Sequence, residues 1–372
     1  MSGGPIPDVG SIGEEPPAVG WLPAPVQEGP DGAAGELTAW LAGRVTDYAR
    51  AARAASTWKA YDTDLRHFGA WCAAQPGAPV AMPASALTVA GYLTALADAG
   101  YKPSTIRRPL AAISVAHQLA KAASNPAASV EVATVWDGIR RVHGVRPERK
   151  AALETSLLTR VLAAIDDPPP AGGDRPATAD PAGGESVGPA AALAAVRDRA
   201  LLLVGFAGCL RRSELVGLDV ADIAVTADGL VLTIRSSKTD QESAGALVGL
   251  AYGSYRPTCP VRAWQSWVAA ARLDAGPAFR GLNRHGQVRA GRLHASSVAR
   301  IVQRRAEAAG LDPADFAGHS LRSGFATAAA RAGASDRAIM RQGRWRSAAS
   351  LDSYVRAGRL FDRDNPSGQV GL

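Results

Sequence analysis

His319 and Arg322 stand one helical turn apart in His319-Ser320-Leu321-Arg322, followed by Trp345 and, nine residues later, Tyr354. Residues i and i+3 share a helix face, so this imidazole and guanidinium can converge on a single oxyanion. Tyr354 lies in a helical pattern, Ser-Ala-Ala-Ser-Leu-Asp-Ser-Tyr-Val-Arg, which can present a phenol to the same anion as a nucleophile. A phenol ionises near ~10, so it attacks only where its proton is taken up locally or its phenolate is stabilised by cations. Cations are what this segment supplies.

Taken singly, each of these residues has a bland reading. A His-x-x-Arg pair is common on solvated helices, and a lone Tyr or Trp is usually a packing residue. A third element upstream changes the balance: Gly208-Cys209-Leu210-Arg211-Arg212-Ser213-Glu214-Leu215 closes the apolar run from Ala200 to Ala207. Two arginines at the end of a buried helix are costly unless an anion or a carboxylate pairs with them.

Together these residues resemble the tyrosine recombinases, or phage integrases. The family pattern of Arg-x-x-Glu-Leu, a hairpin Lys, His-x-x-Arg, His or Trp, and Tyr is present in order. Arg211 matches the first arginine because it stands three residues before Glu214; Arg212 falls on a variable position. Lys238 matches the hairpin lysine, His319 and Arg322 the paired motif, Trp345 the His/Trp position, and Tyr354 the nucleophile. The resemblance spans about residues 36 to 360.

It implies a site-specific DNA recombinase that cleaves and rejoins strands through a 3′-phosphotyrosine, in integration, excision or resolution. Arg211 and Arg322 would hold the non-bridging phosphate oxygens, with His319 and Trp345 adding one donor each. Lys238 would protonate the departing 5′-oxygen, and Glu214 would orient Arg211 or the neighbouring His rather than touch DNA. The implied partners are double-stranded recombination sites, two of them held by a homotetramer; accessory proteins are not specified. Two alternatives use the same pattern. One is a nicking and rejoining enzyme like the type IB topoisomerases, and the other a catalytically silent DNA-binding protein. The complete residue set argues against the second, and Leu360 and Phe361, apolar anchors for subunit contacts beyond Tyr354, argue against the first.

The elements that must position these residues follow from spacing and punctuation. Residues 1–34, rich in Gly, Pro and Ala, read as a disordered tail. Residues 35–145 carry helical spacing, from Leu37 and Trp40 through Trp58, Tyr61, Leu65 and Phe68 to Ile106, Leu110 and Ile113, and form a helical DNA-binding domain. Ser104-Thr105 reads as a helix start, and Lys102, Arg107 and Arg108 give its first turn a cationic character suited to phosphate. Arg140 and Arg141 are further DNA-binding candidates, leading into a basic linker over 146–152. The catalytic domain covers 153–360, with a flexible acidic insertion at 166–190 and a tail at 361–372.

Within that domain, one helix runs over 153–165 and another from Ala191 to Leu215. A hairpin over 229–250 follows, with Lys238 near its turn, then helices at 260–273, 295–309, 319–332, 335–342 and 350–357. The expected fold class is mainly α with a small antiparallel sheet (α+β).

Composition fits this outline. Residues 1–43 hold six acids and no base, and residues 166–190 hold five acids and one Arg. With those set aside, the overall +7 becomes +17 on the remaining body, the footprint of a phosphate-backbone binder. Cys72, Cys209 and Cys259 are odd in number and widely spaced, which suits reduced cytosolic thiols. No apolar run reaches membrane-span length and no base precedes Arg44, so a cytoplasmic, nucleoid-associated protein without a signal peptide or membrane contact is expected. His67, His117, His143, His285 and His294 lack metal-ligand spacing, Asp362-Arg363-Asp364 reads as solvated charge, and no phosphate loop occurs. No metal or nucleotide cofactor is implied.

Overall fold

The computed structural model describes residues 52–144, 150–166, 188–235, 245–362, 365 and 367. The tail at 1–34, Lys238, most of the insertion at 166–190, and much of the basic linker and of the 361–372 tail lie outside the described residues. The chain falls into two compact units, parted between Pro147 and Glu148.

The first unit is helical. Helix α1 is Ala55–Ala74, α2 Ala86–Asp98, α3 Pro103–Leu119 and α4 Val130–Val142. Two starts are capped as sequence favours, the Ser85 hydroxyl accepting from the Thr88 amide and that of Ser129 from Val132. The third differs from the Ser104-Thr105 expectation: Lys102 is the cap residue and Pro103 opens the helix. Proline has no amide to leave unsatisfied there and its φ is already helical. Phe68, Trp71 and Tyr92 pack at ring separations of 4.9–6.5 Å in a core with Leu93, Ile106 and Ile113. His117, fully buried, links Ile113 O to the Ala84 amide and serves the fold.

The second unit holds α5 (Thr155–Asp166), α6 (Pro189–Ala207), α7 (Arg212–Gly217), α8 (Pro260–Ala271), α9 (Ala295–Ala308), α10 (Ser320–Arg331), α11 (Asp336–Gly343) and α12 (Ala348–Gly358). A three-stranded antiparallel sheet orders β1 (Ile223–Val225), β2 (Gly229–Ile234) and β3 (Ala246–Ala251), with Gly229 opposite Ala251 and Ile234 opposite Ala246. A separate pair, β4 (Arg280–Leu282) and β5 (Val288–Arg292), forms a second antiparallel ribbon. The main core gathers Leu201, Leu202 and Val204 of α6 with Trp264 and Trp267 of α8 and the inner residues of β2 and β3. Asp198, fully buried, is shared by Arg197, Arg304 and Arg305 and ties α6 to α9.

One expected element is corrected. The helix drawn from Ala191 to Leu215 stops at Ala207 and restarts at Arg212. Cys209 takes a left-handed conformation, φ 48°, while the amides of Cys209 and Leu210 close on the carbonyls of Phe206 and Gly205. That pairing satisfies carbonyls the helix end would leave open. The consequence is functional: Arg211 is turned out of the buried helix, half-buried, and Arg212 is exposed.

Candidate active site

Arg211 caps α7, and Glu214, in the first turn of that helix, folds back onto it. The carboxylate accepts from the Arg211 amide at 2.8 Å and from its Nη1 at 2.6 Å. Its other claim comes from far along the chain, where Arg344 Nη2 donates to Glu214 Oε2 at 2.7 Å. Burial works against this charge, but Arg344 and Arg211 prevail and hold the carboxyl below its usual range. Glu214 thus orients two guanidinium groups.

Arg344 was not foreseen. It follows the last residue of α11 in a left-handed conformation, φ 56°, and the Trp345 amide closes back on Met340 O. The turn is the one used at Cys209. It sends Arg344 inward, where Nη1 and Nη2 also donate to the carbonyls of Gly208 and Cys209. The available signal was a cation immediately before Trp345.

Trp345 leaves the same turn in the other direction and lies against Gly343. A β-carbon there would sit 1.9 Å from the indole ring, so only glycine allows the approach. The Arg322 guanidinium stacks over the Trp345 ring at 3.9 Å. Arg322 is nearly inaccessible, donates Nη1 to Cys209 O at 2.5 Å, and keeps a buried Nη2 with no hydrogen-bond partner among the described residues. Burial pulls it down to about 10. A buried cation with an unused donor gains strongly from an arriving anion.

His319, exposed at the start of α10, and Tyr354, half-buried on α12, meet across 35 residues of sequence. His319 Nε2 lies 2.9 Å from the Tyr354 hydroxyl, and the Trp345 and Tyr354 rings are 6.1 Å apart. Arg211, Glu214, His319, Arg322, Trp345 and Tyr354 are therefore brought into one connected cluster, joined by Arg344. Lys238 lies outside the described residues, between β2 and β3.

In the first unit, Lys102, Arg107, Arg140 and Arg141 are exposed. Arg140 is paired with Asp137 at 3.2 Å. Arg108 is exposed as well, and two of its nitrogens donate to Asp64.

Comparison with known proteins follows the same division. Residues 189–359 match the phage integrase family, and residues 47–124 match the phage integrase N-terminal SAM-like domain. An integrase/recombinase xerD homolog of Selenomonas ruminantium is 34% identical over 315 residues, covering 84% of each chain. The chain belongs to the phage integrase family. As a member, it is a site-specific DNA recombinase. The fold is shared with XerH site-specific recombinase in complex with its difH substrate, at TM-score 0.55 and 14% identity, covering 85% of this chain and 79% of that one. It is shared too with a lambda integrase dimer on a COC′ core site, at TM-score 0.53 and 16% identity, covering 86% and 77%.

Proposed function

We propose that the Tyr354 hydroxyl oxygen attacks a DNA backbone phosphorus, forming a 3′-phosphotyrosine as the bond from phosphorus to the 5′-oxygen breaks. The observation that carries this reading is the 2.9 Å contact between His319 Nε2 and the Tyr354 hydroxyl, beside the buried Arg322. The phenol proton passes to His319 as the new bond forms. Arg211 and Arg322 hold the non-bridging oxygens, where negative charge grows in the five-coordinate transition state. Glu214 acts through the arginines it positions. Lys238 supplies the proton that the departing 5′-oxygen needs. Each broken phosphodiester is conserved as a protein-DNA ester, so a second 5′-hydroxyl can reverse the step on another strand.

Lys102, Arg107, Arg140 and Arg141 fit contacts to the phosphate backbone at the flanks of the site. The working assembly is a homotetramer on two DNA sites, in the cytoplasm on the nucleoid. Leu360 and Phe361, 60% and 88% exposed, support it as apolar anchors. Leu158, Leu162, Phe206, Leu250 and Phe325 line a groove of about 780 Å³ suited to receive them from a neighbouring subunit.

The test uses duplexes enriched by this chain from a randomised DNA library, nicked next to the cut so that the product is trapped. Wild type is expected to give a protein-DNA adduct on a denaturing gel, and Tyr354→Phe to bind equally and give none. An adduct that persists in the variant, or one that wild type never forms, sinks the reading.

A further inference from the structure

Asp64, on α1, is a buried carboxylate at 7% exposure whose two oxygens serve one residue. Arg108 of α3 donates Nε–H to Oδ2 at 2.7 Å and Nη2–H to Oδ1 at 2.8 Å. The pair is lopsided: the Asp64 side chain is 9% exposed and that of Arg108 55%. An exposed arginine needs no partner to be solvated, whereas a carboxylate withdrawn from water is costly. What the arrangement provides is direction.

A guanidinium carries five N–H groups in a rigid plane. Asp64 occupies the Nε/Nη2 edge. The Nη1/Nη2 edge faces away from that carboxylate and makes no other hydrogen bond among the described residues. Two parallel donors on such an edge match the O6 and N7 acceptors of guanine in the major groove. The same helix exposes Ser104 and Thr105 one turn earlier, and Arg107, and α3 contains no Asp or Glu. A phosphate is the other partner such an edge could meet. Pairing with Asp64, however, cancels the net charge that phosphate binding depends on and leaves the hydrogen-bond pattern intact. Lys102 and Arg107, exposed on the same stretch, fit contacts to the backbone.

We infer that Arg108 reads a guanine in the DNA site and that Asp64 is the positioning residue that fixes its readout edge. This rests on the DNA-cutting function proposed above and adds a determinant of sequence choice. A bidentate contact of this kind is worth ~1–3 kcal/mol of discrimination, which is roughly 5- to 140-fold between the right base and a wrong one.

The experiment selects bound sequences from a randomised duplex library with wild type, Arg108→Ala, Arg108→Lys and Asp64→Asn, each checked for an unchanged helical spectrum and melt. Wild type is expected to enrich guanine at one position, and Arg108→Ala and Asp64→Asn to flatten preference there by that factor while other positions keep theirs; Arg108→Lys, whose ammonium can still donate to guanine, should flatten it less. Arg108→Ala, on the exposed side of the pair, decides the readout even if Asp64→Asn fails to fold. Uniform loss of affinity across sequences, with a salt dependence shallower by about one phosphate, overturns base reading in favour of a backbone contact. Flattening by Arg108→Ala but not by a folded Asp64→Asn overturns the positioning role. A wild type that enriches no guanine yet still forms the Tyr354 adduct overturns this inference alone, whereas absence of any adduct overturns the function beneath it.

Discussion

The Tyr354 hydroxyl and His319 Nε2 are 2.9 Å apart, with ring planes tilted by 52°. The sequence assigns the imidazole to the phosphate oxygens; this contact supports the proton-accepting role proposed for it above. His319→Ala is expected to lower the single-turnover cleavage rate on the order of 10²- to 10⁴-fold, the usual worth of a proton acceptor, with little change in DNA binding. A loss confined to binding places His319 on the phosphate instead.

Glu214→Gln keeps the shape of the side chain and removes the charge shared by Arg211 and Arg344. Breaking a buried pair of this kind costs about 3–5 kcal/mol, to be measured by denaturant unfolding at neutral pH. The folded carboxyl lies below its usual range, so its stabilisation is present above the unfolded value near ~4.3 and is lost as pH falls through the folded one. The gap between wild type and variant should therefore close on acidification. A gap that widens there contradicts the shared-charge account.

Lys238→Ala is expected to slow cleavage severely on ordinary DNA and to cut DNA with sulfur at the bridging 5′ position at close to the wild-type rate. A thiolate leaves without a proton, since thiols ionise near ~8.5. Arg211→Ala, which loses charge stabilisation, should not be rescued. Failure of sulfur to rescue Lys238→Ala removes the lysine from the acid role.

Truncation after Arg359 removes Leu360 and Phe361. Binding of one protomer to a half-site should be retained, while cooperative filling of the full site weakens in a gel-shift titration. Unchanged cooperativity counts against the tail as a subunit contact.

Much of this was legible locally. The apolar spacing of α1, α3 and α5 and the order of motif residues mark helices and site because both are written within a few turns of sequence. The break at Gly208–Arg211 was not, because the left-handed residue is Cys209 and glycine stands one place early. Nor was Arg344, whose partner Glu214 lies 130 residues away. The Asp64–Arg108 pair spans 44 residues and gives neither residue a local signature. Short strands such as β4 carry too few residues for a two-residue alternation to stand out.

Helix α12, which carries Tyr354, rests on a small satellite cluster of Ala326, Ala330, Ile339, Leu351 and Val355, apart from the main core. Its own large buried side chains are Leu351 and Val355. At ~1.5–3 kcal/mol for each, lifting the helix costs roughly 3–6 kcal/mol, toward the low end of the ~5–15 that unfolds a domain. The amides of α12 should exchange with solvent through that local opening sooner than those of α6, whose leucines are locked in the main core. Under the proposed mechanism, a strand end esterified to Tyr354 would move on a single helix, while Arg211, at the edge of the main core, would stay where the domain core keeps it.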